Sequence, residues 1–96
     1  MDPERRLTEL NEEGARVRTE IRVLEEQVLF QTDVAEDARI RAVVSGTPLA
    51  DRESREAAED LARMQRSLAD ARERAAAIAR EQDELLDRIA ARNRNG

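Results

Sequence analysis

The chain has 96 residues, of which 41% are charged and 1% aromatic, and it carries a net charge of −5. So little bulky apolar material cannot enclose a three-dimensional globular core, and the surplus of acid argues against direct binding of nucleic acid. Histidine, cysteine, tyrosine and tryptophan are absent, which excludes disulfides, cysteine-ligated metal and most catalytic constellations.

The first element opens at Asp2, a helix-capping residue, with Pro3 at the first helical position and Glu4 in the first turn. The pattern predicts a helix over about residues 3–44. Its apolar seam runs Leu7, Leu10, Gly14, Val17, Ile21, Leu24, Val28, Gln31, Ala35, Ala38 and Ala42. The spacing alternates between three and four residues, the heptad signature. Gly14 is an interior glycine at a seam position, where it either permits a close approach or weakens the helix.

Ser45-Gly46-Thr47-Pro48 is the only break. Gly46 suits a left-handed helix terminus, Thr47 a cap, and Pro48 the first position of a second helix, predicted over about residues 48–93. Asp51 and Glu53 follow early, where carboxylates favour the helix dipole. The second seam runs Ala50, Ser54, Ala57, Leu61, Met64, Leu68, Ala71, Ala75, Ile78, Gln82 and Leu85. Arg92, Asn93, Arg94, Asn95 and Gly96 place cations and then helix breakers at the C-terminus.

The two seams mirror each other about Gly46. Ala42 and Ala50 are equidistant from it, as are Ala35 and Ala57, Val28 and Met64, Gly14 and Ile78, and Leu7 and Leu85. The expected fold is therefore all-α: one domain over 1–96, a two-helix antiparallel coiled-coil hairpin that dimerises into a helical bundle. In that register Arg41 faces Glu53, Arg39 faces Asp51 and Glu20 faces Arg74, whereas Glu13 faces Glu81 and Arg18 faces Arg72. The attractive pairs cluster near the turn, so that end is expected to be the better specified.

Helix 1 carries more apolar residues than its seam requires. Val23, Phe30, Val34 and Val44 form a second stripe, and Leu29, Ile40 and Val43 add to it. A helix apolar almost all round is usually buried on more than one side. These seven residues are the expected surface for a protein partner or for self-association, and a homodimer is the commonest form of the latter. Helix 2 has a flank of its own, Ala58, Ala62, Ala69, Ala76, Ala79, Leu86 and Ala90. Alanine's helix propensity accounts for most of it.

No serine or threonine has a histidine or lysine base, and no phosphate-binding glycine loop exists. An enzyme is not expected, nor is a cofactor or a metal. All 17 basic residues are arginine, as a GC-rich bacterial genome would favour. Arginines at helical spacing (Arg16, Arg18 and Arg22; Arg63 and Arg66; Arg72 and Arg74) offer a second reading, a cradle for an anionic nucleotide. No signal peptide or membrane-spanning run is seen, so a cytoplasmic location is expected.

Two families resemble the hairpin. It is similar in outline to small actinobacterial anti-sigma hairpins that bind cyclic di-GMP, although their E-x3-S-x2-R-x3-Q-x3-D spacing falls on neither helix. Gly46-Thr47-Pro48-Leu49-Ala50-Asp51-Arg52 followed by Ala57-Ala58 resembles the tip of Gre-type transcript cleavage factors, G-D-L-S-E-N with a later Ala-Ala pair. The tyrosine and first acid of that tip are missing. That resemblance implies a tip at Thr47 and Asp51, with Asp51 the surviving carboxylate, and a place in an RNA polymerase channel. The expected function is a non-enzymatic interaction module, a small adaptor or regulator. Its alternative is a transcription regulator of one of these two kinds.

Overall fold

A computed structural model describes residues 2–95; Met1 and Gly96, the two ends of the expected 1–96 hairpin, lie outside the described residues. Two helices account for the chain, α1 over Pro3–Ser45 and α2 over Pro48–Asn95, with no strand among the described residues. Arginine and glutamate are frequent in both, joined by valine in α1 and by alanine in α2, and each proline sits at a first helical position, where its missing N–H costs nothing.

The ends of the helices are closed by the residues the sequence offers for it. The Glu4 N–H donates to Asp2 Oδ1 at 3.1 Å, and the Arg6 N–H to the Asp2 carbonyl at 3.1 Å. At the turn, Gly46 has φ +63° and its N–H donates to the Ala42 carbonyl at 3.0 Å. A side chain there would be strained, which is why glycine ends the helix. The Ala50 N–H donates to Thr47 Oγ1 at 3.2 Å and the Asp51 N–H to the Thr47 carbonyl at 3.0 Å. A helical hairpin results.

All seam positions named above are buried or half-buried, from Leu7 to Ala42 on α1 and from Ala50 to Leu85 on α2. The chain forms two compact units, Met1–Ile21 with Asp70–Gly96, and Arg22–Ala69. The terminal unit holds the larger side chains. Leu10, Val17, Ile78 and Leu85 form its core, flanked by Leu7, Ile21 and Ala75, and Leu10 is only 1% exposed. Burying each such aliphatic side chain contributes roughly 1.5–3 kcal/mol.

Arginine–carboxylate pairs tie the two helices of this unit together. Arg6 Nε donates to Glu81 at 2.7 Å and Arg6 Nη2 at 3.1 Å, a two-pronged contact. Arg74 grips Glu20 in the same way at 2.6 and 2.9 Å, and Arg92 pairs with Glu4. The Glu20–Arg74 attraction is thus the one expected. The Glu13–Glu81 repulsion is replaced, because Glu81 turns to Arg6 instead.

Hydrogen bonds from Arg6 and Arg74 hold the Glu81 and Glu20 carboxyls below the ordinary value of 4.5. A lowered native pKa means that the folded form binds fewer protons than the unfolded one. Stability from these groups is therefore complete above about pH 4.5 and lost as pH falls through the native values. Thermal unfolding should give a level Tm from neutral pH down to about 5 and a falling one below. Glu81→Gln should flatten that acid limb.

Gly14 is buried opposite Ile78. A methyl group there would lie 3.6 Å from Ile78 Cγ2 and 3.4 Å from the flexible end of Arg18. The site accommodates a side chain, so Gly14 is a weak point and not a required close approach. Gly14→Ala should raise the unfolding free energy by about 0.5–1 kcal/mol in urea titration.

In the turn unit the buried positions are smaller: Gln31, Ala38, Ala50, Ala57 and Leu68. Gln31 Nε2 donates to the Ala57 carbonyl at 3.1 Å, a bond from α1 to α2 that penalises sliding of one helix along the other. Charges do not supply the specificity expected at this end. Arg39 reaches back to Glu36 on its own helix, at 2.7 Å, and not across to Asp51.

Candidate interaction surface

The turn unit buries one face of α1 and leaves the rest in water. Phe30 is 71% exposed, Leu29 70%, Val43 74% and Val44 81%. Val23 and Ile40 are about half exposed, and Val34, which borders the seam, is half-buried. All seven residues expected at an interface therefore lie on one stretch of one helix, within one unit. Six of them are among the eight large apolar residues that the described chain leaves exposed. Scattered single aliphatics are ordinary on a protein surface, whereas a contiguous exposed set of this size is not.

Helical geometry explains why these side chains cannot be absorbed by the hairpin. With 3.6 residues per turn, a seam at every third and fourth residue occupies one narrow side of α1. Ile40 falls opposite that side, with Phe30 and Val44 on one flank of it and Leu29 and Val43 on the other. No conformation of α2 that keeps the seam closed can cover them.

The sequence reading missed Leu49. It opens α2 beside the turn and is 55% exposed, close in the chain to Val43 and Val44. Its position outside the heptad seam was the available signal. Thr47 and Asp51, the expected tip residues, are both exposed; the Thr47 hydroxyl is engaged as the cap of α2, and Asp51 stands in the first turn.

The arginines of the expected anion cradle are partly committed elsewhere. Arg74 is bound to Glu20 and Arg63 to Asp60. Among the described residues no group of three or more acidic, histidine or cysteine side chains is placed to hold a metal ion. Nor is any helix among them long and apolar enough to cross a membrane. Comparison with protein-family models, with curated proteins and with solved structures finds no match. Neither resemblance noted in the sequence gains support from it.

Proposed function

We propose that this protein is a non-enzymatic, cytoplasmic interaction module of bacterial origin, an adaptor or regulator. In this reading the helices form an antiparallel coiled-coil hairpin, and another protein chain covers the apolar outer face of α1 in the turn unit. The observation that carries the reading is the exposure of Leu29, Phe30, Val43 and Val44 on a helix whose seam is already filled. A helix in a groove or a bundle is the usual way such a face is buried.

Two kinds of chain fit that description, a second copy and a different protein. A second copy would make a two-fold dimer and a four-helix bundle. Sedimentation equilibrium of the purified protein, paired with capture from bacterial cytoplasm using the parent and a Phe30→Glu variant as baits, tests the role. The expected result is a dimer, or a captured protein, that the variant loses while keeping its helical circular dichroism. A parent that sediments as a monomer and captures the same proteins as the variant would overturn it.

A further inference from the structure

Resting on the interaction role proposed above, we infer that the occupant of the α1 outer face is a basic amphipathic helix of a different protein, not a second copy of this chain. Within the face one line of side chains, Val23, Glu26, Phe30, Asp33, Asp37, Ile40 and Val44, runs at alternating spacings of three and four, flanked by Leu29, Val34 and Val43. It differs from the buried seam in carrying three carboxylates among its apolar residues. All three are exposed.

Some carboxylates of the protein pair with arginine, Glu4, Glu9, Glu20, Glu36, Asp60 and Glu81 among them. Glu26, Asp33 and Asp37 make no hydrogen bond or ion pair among the described residues. Arg39 stands two residues beyond Asp37 and is spent on Glu36. The stripe is therefore an apolar track with unmatched negative charge along it.

Covering it with a purely apolar helix would desolvate three carboxylates without a partner, which is costly. Covering it with a second copy fares no better. In the two antiparallel registers that overlap the stripe most, Glu26 lies against Asp37 or Asp33 against Asp37; in a parallel pairing each acid meets its own image. Nucleic acid and anionic lipid are repelled by the same groups. A helix with apolar residues opposite Val23, Phe30 and Ile40 and arginine or lysine opposite the three acids satisfies both halves of the pattern.

The test is a titration with two synthetic amphipathic helical peptides that share one apolar face, one flanked by arginines and one by glutamates, followed by amide chemical shifts of the labelled hairpin. The arginine peptide is expected to shift residues along 23–44 and to bind more weakly as salt is raised. The glutamate peptide should shift nothing. The triple variant Glu26→Gln, Asp33→Asn, Asp37→Asn should weaken the arginine peptide by about tenfold or more, at three exposed pairs, with unchanged helicity. If both peptides bind alike at the stripe, or the triple variant binds the arginine peptide as tightly as the parent, the charge inference fails while the interaction role stands. A parent dimer lost on Phe30→Glu would assign the stripe to a second copy and overturn the inference. Binding that ignores Phe30→Glu would remove the stripe itself as the site.

Discussion

Leu10→Ala should lower the unfolding free energy by about 2–5 kcal/mol, the range for deleting a fully buried leucine. Leu10 is the largest side chain with almost no exposure, and it packs in the four-residue core of the terminal unit. Two helices sharing one seam have few other aliphatic residues to redistribute into the space. A domain of this size has only roughly 5–15 kcal/mol in total, so the loss is a large share of it. Urea unfolding followed by circular dichroism reads the effect as a lower midpoint. Leu86→Ala provides the comparison. Leu86 neighbours a seam residue but is 50% exposed, so its loss should stay within about 0.5 kcal/mol. Equal effects at the two positions would mean that the buried side of the terminal unit is not the one described.

The second large effect concerns binding. Phe30→Glu and Leu29→Glu should each weaken binding of the proposed partner by about 30-fold or more, since an aromatic or large aliphatic anchor at the centre of an interface is worth about 2–4 kcal/mol. The same changes should leave the Tm of the free protein within a few degrees, because both side chains are about 70% exposed and touch no core. That separation is the signature of a surface kept for another molecule. A core residue would lose stability and binding together. A residue exposed for no purpose would lose neither. Isothermal titration with the purified partner and thermal scans of the free variants measure the two quantities side by side.

Much of the fold could be read from the sequence because the seam is periodic. Each heptad position from Leu7 to Ala42 and from Ala50 to Leu85 must choose inside or outside, and twenty-two such choices agree with one fold-back at Gly46. The turn was equally legible. Gly46, Thr47 and Pro48 each supply one element of a stop-and-restart, and each occupies the conformation or bond that its chemistry favours. The ion pairs were not. Arginine side chains reach about a helical turn in either direction, so Arg6 could meet Glu81 and Arg39 could return to Glu36. Spacing along the chain constrains where a guanidinium starts and not where it ends. Consequently the turn end, which the sequence suggested as the better paired, relies on Gln31 and the Ala57 carbonyl. The terminal end carries Arg6–Glu81, Arg74–Glu20 and Arg92–Glu4.

The candidate surface was legible as an excess of apolar residues, because a helix in a two-helix hairpin has only one side to bury. Its electrostatic character was harder to see. Glu26, Asp33 and Asp37 look like ordinary solvated acids until Phe30 and Ile40 are found exposed on the same line of α1.

The outer stripe of α1 is free for a partner only if the seam closes as described, with residues equidistant from Gly46 facing each other. The absence of native cysteine makes this directly measurable. A Cβ added at Gly14 lies 3.6 Å from Ile78 Cγ2, so a Gly14→Cys, Ile78→Cys double variant brings its two thiols within disulfide reach. It should oxidise rapidly to a monomeric cross-linked species. A Gly14→Cys, Leu85→Cys variant, with its second thiol about 10 Å further along α2, should remain reduced under the same conditions. Cross-linking in the second variant and not in the first would show the helices slid by two turns and would contradict both the seam and the surface derived from it.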